Sequence, residues 1–171
     1  IYTAMLPPLG TLNRRDEGLI LGYVAMLYGR LGEQAQSRTY FDQALSLQRQ
    51  AGDQRGEITT LVNLGELLRS RNEQDQARIY LEQALQLNLK IQDSFLQCIA
   101  LHNLGLIFHA AKEYPQAFAC YQQSLKLVHY LPNKQYRGMI LTNFGMVLYE
   151  QGMLVEGLAI LLAALKIRQM L

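Results

Sequence analysis

The feature that most constrains this chain is an internal repeat with a period of about 40 residues. Asn63-Leu64-Gly65 returns as Asn103-Leu104-Gly105 and as Asn143-Phe144-Gly145, and a weaker copy stands at Tyr23-Val24-Ala25. Small residues recur twelve positions after the third residue of each copy, at Ser37, Ala77, Ala117 and Gly157. Four copies in 171 residues predict one small structural unit that stacks on itself.

Each copy carries the apolar spacing of two helices. Leu61, Leu64 and Leu68 lie three and four residues apart, which places them on one side of a helix, and a second such run begins at Ala77 after a short polar turn. Only four prolines interrupt the chain. The sequence therefore predicts an all-α fold of four helix-turn-helix repeats, at about 16–52, 54–92, 94–131 and 134–171. Residues 1–15 are expected to be the end of a preceding helix or a cap.

Glycine recurs inside the first helix of three repeats, where it is otherwise unfavourable. Glycine in a helix costs about 1 kcal/mol relative to alanine. Two helices approach closely only where the contacting residues are small. We therefore expect Gly65 to touch the second helix near Ala77, and we expect an alanine methyl at this register to clash.

The pattern Leu-x-x-Leu-Gly-x-x-Leu, followed by a small residue and then Ala-Leu, resembles the tetratricopeptide repeat. The usual unit of that family has about 34 residues. The unit here is similar to the lengthened variant of kinesin light chains, spindle adaptor proteins and bacterial regulators of the MalT and Rap types. The resemblance covers residues 16–171 and implies a right-handed superhelical α-solenoid with a groove lined by the first helices. The departures from the pattern are Ala25, Ser37, Ser124 and Gly157.

First-helix residues that face away from the second helix are expected to line that groove. Asn63, Asn103 and Asn143 share one register, and an amide offers a peptide backbone both a donor and an acceptor. In the lengthened relatives this asparagine contacts bound peptides, and the resemblance implies that role here. The alternative is that each asparagine bonds the neighbouring helix and fixes repeat stacking. The other predicted groove residues are Met26, Arg30, Glu66, Arg69, His102, Leu106, His109, Thr142, Met146 and Tyr149.

The last predicted helix is apolar on nearly every side. Leu158 and Leu162 stand at the registers that Arg78 and Glu82 occupy in the second repeat. Terminal repeats normally need a polar outer face for solubility. We therefore predict an association surface that is covered by a further repeat, a second copy of the chain or a partner. Its predicted residues are Leu154, Val155, Leu158, Leu162 and Met170.

Several classes of function are disfavoured by the sequence. The net charge is only +2 and the basic residues are dispersed, unlike those of a nucleic-acid binder. The most apolar stretch, 158–165, is shorter than the roughly 20 residues of a membrane-spanning helix. No catalytic motif is present, so neither an enzyme nor a cofactor is predicted.

The histidine, glutamate and cysteine residues do not predict a metal or catalytic site in addition to the groove. His102 and His109 lie seven residues apart without a further ligand at suitable spacing, which favours groove lining over metal binding. Glu150 is interpreted as isolated. Cys98 and Cys120 are interpreted as buried, reduced thiols, and this favours a cytoplasmic protein.

The leading hypothesis from the sequence is a non-catalytic scaffold that binds a protein or peptide in its groove. One alternative is a ligand- or peptide-sensing domain of a larger signalling or transcription protein. Another is a self-association module that acts through the last helix. The chain begins with Ile1 rather than Met, so we expect that it is a piece of a longer protein.

Overall fold

A computed structural model describes residues 13–127 and 134–169. Within these ranges the chain forms eight α-helices and no strand, which confirms the predicted all-α fold class. The first helices of successive repeats begin at Arg14, Gln54, Ser94 and Lys134, a constant step that equals the period of the sequence repeat. The helices are α1 (Arg14–Arg30), α2 (Gln34–Gln50), α3 (Gln54–Ser70), α4 (Gln74–Ile91), α5 (Ser94–Ala110), α6 (Tyr114–Leu127), α7 (Lys134–Glu150) and α8 (Leu154–Gln169).

The chain divides into two compact units, Ile1–Ile91 and Gln92–Leu171. In the first unit α1 packs against α2 and α3 against α4, and α3 also contacts both helices of the preceding hairpin. The second unit repeats this arrangement, since α5 pairs with α6, α7 pairs with α8, and α7 contacts both α5 and α6. Each unit therefore consists of two stacked helix hairpins.

Short polar side chains cap the start of three first helices. Asn13 Oδ1 accepts hydrogen bonds from the backbone N–H groups of Arg15 and Asp16 at the start of α1. Asp53 accepts one from Gly56 at the start of α3, and Asp93 accepts two at the start of α5. These bonds satisfy backbone donors that have no partner within the helix.

Tight turns with left-handed backbone also follow the repeat. Positive φ angles occur at Gly32, Asn72, Lys112 and Gly152, one in the turn of each hairpin and each separated from the next by one repeat period. Glycine and asparagine adopt this conformation most readily, so Lys112 is the residue least suited to its turn. The polar turns predicted between the two helices of each repeat therefore lie where the sequence placed them.

The core of each hairpin lies along the predicted apolar stripes. Leu61, Leu64 and Leu68 are buried, and so are the residues equivalent to them in α5 and α7. A Cβ on Gly65 would lie 2.6 Å from Leu81 Cγ and 3.3 Å from the Ala77 carbonyl oxygen, so the predicted close approach is confirmed. The hydroxyl of Ser37, which replaces alanine at its register, donates to the Ala25 carbonyl oxygen at 2.9 Å.

Two predictions fall wholly or partly outside the described residues. The predicted amino-terminal segment 1–15 is described only from Asn13, and Arg14 and Arg15 already belong to α1. Met170, predicted as part of the association surface, follows the last described residue.

Candidate binding faces of the first helices

Four of the predicted groove residues line one concavity in the first unit. It lies between α1 and α3 and has a volume of about 270 Å³. Met26 and Arg30 come from α1, and Asn63 and Glu66 come from α3, with Leu67 and Ser70 completing the lining. We call this surface the α1–α3 face. The register argument from the sequence therefore brought residues of two different helices to one place.

Close packing of α1 against α3 forms the base of this face. Leu67 is buried and rests on Gly29, where no room remains for a Cβ. Arg71 Nη2 donates to the Gly29 carbonyl oxygen at 2.7 Å and ties the end of α3 to the end of α1. Because this contact holds the two helix ends together, the side chains one turn away are held at a fixed separation.

The α1–α3 face combines three kinds of chemistry. Arg30 is exposed and carries a permanent positive charge, and Glu66 is half-buried and offers a carboxylate. Asn63 is half-buried and supplies an amide, while Met26 supplies an adaptable apolar surface. Arg69 is half-buried but is not among the residues that line the concavity.

In the second unit, one predicted residue of α7 bonds one predicted residue of α5. Asn143 Nδ2 lies 2.9 Å from His102 Nε2, so the amide donates and the ring nitrogen accepts when it carries no proton. The His102 ring is buried and lies 6.0 Å from the Tyr121 ring, centroid to centroid. Asn143 thus bonds the neighbouring first helix, which is the alternative in which the asparagine fixes the stacking of repeats.

Asn103 is turned towards its own helix. Its Nδ2 donates to the Ile99 carbonyl oxygen at 3.2 Å, and the residue is only 4% exposed. Leu106 is half-buried, and Thr142 is half-buried with its hydroxyl bonded to the Gly138 carbonyl oxygen. The residues of this set that reach solvent most are Met146 and Tyr149, which are 40% and 59% exposed. We call the predicted residues Met146 and Tyr149 of α7 and His102, Leu106 and His109 of α5 the α5–α7 face.

The interpretation of Glu150 as isolated is wrong. Its Oε2 lies 2.9 Å from His109 Nε2, and Tyr114 also donates to this carboxylate. The hydrogen bond from His109 holds the pKa of the Glu150 carboxyl below its usual value, and the Tyr114 hydroxyl and Lys112 contribute in the same direction. Partial burial, followed by the bond to Glu150, raises the pKa of Tyr114. The sequence spacing could have predicted this contact, because Glu150 follows His109 by one repeat period plus one residue.

Two further properties concern the described residues only. Among them, no three His, Cys, Asp or Glu side chains come together in a way that could hold a metal ion. None of the described helices combines the length and the apolar character that crossing a membrane requires.

The predicted association surface lies on α8 and is open in this structure. Leu154, Val155, Leu158 and Leu162 are 58%, 79%, 59% and 55% exposed. Only Gly157 and Ala164 of this helix are buried, and Leu161 packs on Gly145 of α7. The apolar character that the sequence showed on the outer side of this helix therefore belongs to a solvent-facing surface.

These features define a helical-repeat protein, in which each compact unit stacks two helix hairpins and displays first-helix side chains on one face. The sequence pattern of the tetratricopeptide repeat matches residues 16–90 and 96–170. The chain therefore belongs to the tetratricopeptide repeat family, as the sequence resemblance indicated.

A comparison with solved structures supports the same fold. The crystal structure of BtubC (BKLC) from P. vanneervenii is similar over 95% of this chain and 67% of that chain, with a TM-score of 0.79 and 18% sequence identity. At this identity the likeness concerns the fold alone. No curated protein matches this chain in sequence.

Proposed function

We propose that this chain is a non-catalytic module that binds a protein partner through an extended peptide segment. Repeats of this family are generally protein-interaction scaffolds. The observation that carries the proposal is the concavity of the α1–α3 face, which groups Asn63, Glu66, Met26 and Arg30. A small concavity lined by a few polar groups beside apolar ones is typical of ligand sites.

Each side chain of the α1–α3 face has a separate part in this proposal. The Asn63 amide bonds the backbone of the bound segment, whose C=O and N–H groups it matches. Arg30 and Glu66 select the charges of the side chains that flank that contact, and Met26 accommodates an apolar one. On the α5–α7 face, the exposed Met146 and Tyr149 offer an apolar and an aromatic contact.

Asn103 and Asn143 have a positioning part in the same proposal. Nδ2 of Asn103 already bonds the Ile99 carbonyl oxygen and Nδ2 of Asn143 bonds His102, and these bonds fix the orientation of the two amides, whereas Asn63 lines the concavity. Among the three asparagines, we therefore assign the direct peptide contact to Asn63. We also place the chain in a reducing, cytoplasmic setting, because Cys98 is a buried thiol whose sulfur contacts the Ser124 hydroxyl at 3.2 Å rather than a second sulfur.

Selection from a displayed library of random peptides tests this function. The 171-residue chain is expected to enrich peptides, and Asn63→Ala is expected to weaken their binding about tenfold, the loss of one hydrogen bond of about 1.4 kcal/mol. Gln43→Ala is the matched control, since Gln43 is an exposed amide on α2, away from this face. Equal affinity of wild type and of both Asn63→Ala and Arg30→Ala for every enriched peptide would reject the α1–α3 face as the site.

A further inference from the structure

The outer side of α8 carries an apolar stripe with coiled-coil spacing. Val155, Leu158, Leu162 and Leu165 follow one another at intervals of three, four and three residues. This is the spacing of the a and d positions of a heptad, which face a neighbouring helix. All four side chains are more than half exposed, at 79%, 59%, 55% and 51%. An apolar surface of this extent on a monomer usually marks an interaction site.

The earlier repeats indicate how much of this stripe a further hairpin would cover. In the first unit α3 packs on α2, and in the second unit α7 packs on α6. The residues of α2 and α6 at the register of Leu165 are Leu45, which is buried, and Leu125, which is half-buried. At the register of Leu158, Phe118 packs on the Phe144 ring of α7 at a centroid distance of 5.5 Å. A following hairpin thus covers the register of Leu165 in both units, whereas it covers the register of Leu158 in the second unit only, since Arg38 at that register of α2 is exposed.

The registers of Val155 and Leu162, in contrast, stay exposed in α2 and α6. At the register of Leu162, α2 has Asp42 and α6 has Gln122, and both remain exposed although a hairpin follows. At the register of Val155 the two helices have Ala35 and Pro115, which are also exposed. A further hairpin on α8 would therefore leave Val155 and Leu162 in water. Their apolar character requires another occupant.

We propose that α8 pairs with α8 of a second copy of this chain and so forms a twofold homodimer. In an antiparallel pair, Val155 packs against Leu165 of the second copy, and Leu158 packs against Leu162 of the second copy. This arrangement covers all four residues of the stripe, and the interface uses the same patch on both copies, as a twofold axis demands.

The charges of α8 favour the antiparallel orientation. Glu156 lies in the first turn, and Lys166 and Arg168 lie in the last turn. A parallel pair would place Lys166 of one copy at the same level as Lys166 of the other, and it would align the two helix dipoles. An antiparallel pair places the acidic end of each helix near the basic end of the other and opposes the dipoles.

The oligomeric state of the 171-residue chain in solution tests this inference. Sedimentation velocity and light scattering over a concentration series are expected to give a dimer at high concentration. Leu162→Glu is expected to raise the dissociation constant about 100-fold or more, because it places a charge in the centre of an apolar interface. The matched control is Leu89→Glu on α4, where the side chain is 68% exposed, and it is expected to leave the dissociation constant unchanged.

Two further readouts separate the outcomes. Circular dichroism should show equal helix content in both variants, because each replaces an exposed side chain. Mixing Leu158→Cys copies with Leu162→Cys copies should give an intermolecular disulfide in higher yield than either variant gives alone, and this also tests the pairing if Leu162→Glu fails to fold. A chain that stays monomeric at its highest soluble concentration overturns the inference, and so does a dimer that Leu162→Glu and Leu89→Glu weaken equally.

Discussion

At the scale of single residues, the recurring glycines set how closely two helices approach. A Cβ on Gly105 would lie 2.8 Å from Cζ of the buried Tyr121 ring, and one on Gly145 would lie 2.6 Å from Leu161 Cγ. The sequence predicted this close approach because glycine is unfavourable in a helix without a packing reason. It did not predict the contacting side chain, which is an aromatic ring in one repeat and a leucine in others. The repeat register fixes the position of a contact, whereas its partner depends on local side-chain volumes.

Two glycine substitutions in the second unit should have different effects on stability. Gly105→Ala places a methyl against the Tyr121 ring, and we expect the free energy of unfolding to fall by about 1 kcal/mol, since overpacking outweighs helix propensity. A Cβ at Gly138 would lie 3.2 Å from Cγ of the exposed Arg168 side chain, which can move aside, and at an ordinary contact distance of 3.9 Å from the Ala164 carbonyl oxygen. We expect Gly138→Ala to be neutral or to stabilise by up to about 1 kcal/mol. Urea unfolding measures both, and a stabilising Gly105→Ala would contradict the packing argument.

The sequence predicted which residues line the candidate site, but it predicted only some of their hydrogen bonds. Because side chains share a helix face at fixed intervals, the repeat register brought Met26, Arg30, Asn63 and Glu66 to one concavity. The register could not reveal that Asn103 bonds its own helix. A helix carbonyl four residues back and a neighbouring helix are both within reach of an asparagine side chain, and rotamer packing decides between them.

At the scale of elements, one cluster connects the ends of three helices in the second unit. His109 stands at the end of α5, Tyr114 at the start of α6 and Glu150 at the end of α7. Glu150 accepts from both of the other residues. The sequence predicted the three helices from their apolar periodicity. It could not predict this cluster, because each of its residues lies at an element boundary, where the periodic pattern ends.

The pH dependence of this cluster follows from the lowered pKa of Glu150. A carboxyl whose pKa is lower in the folded chain contributes stability above its usual pKa, and that contribution is lost as the pH falls through the lowered value. We expect His109→Ala to raise the Glu150 pKa towards its ordinary value, as measured by NMR titration of the carboxyl carbon. Tyr114→Phe should raise it less, because the His109 bond makes the larger contribution. A Glu150 pKa that is unchanged in His109→Ala would show that the pairing is not formed in solution.

At the scale of the whole chain, the sequence predicted the number of hairpins but not their grouping. The step from Arg14 to Gln54 continues unchanged to Ser94 and Lys134, so the repeat pattern shows no boundary near Ile91. Grouping into compact units depends on how many contacts cross each connection, and these contacts come from residues far apart in sequence. The periodicity of the sequence indicates how residues pack within a repeat and between neighbours, but it does not indicate how many contacts cross each connection.

Burial is distributed unevenly over the chain, and this predicts where the backbone opens first. In α5, 11 of 17 residues are buried, whereas two of the 16 residues of α8 are buried. Local opening is easiest where few buried contacts hold an element, so α8 amides should exchange hydrogen much faster than α5 amides in the Leu162→Glu variant, which we expect to be monomeric. In the wild-type chain at high concentration, pairing of α8 should slow its exchange while α5 stays unchanged. Hydrogen exchange followed by mass spectrometry, with the peptide that covers α2 as an internal reference, measures both differences. If α8 in Leu162→Glu exchanges as slowly as α5, then this helix is held by its own hairpin alone and its exposed leucines do not weaken it.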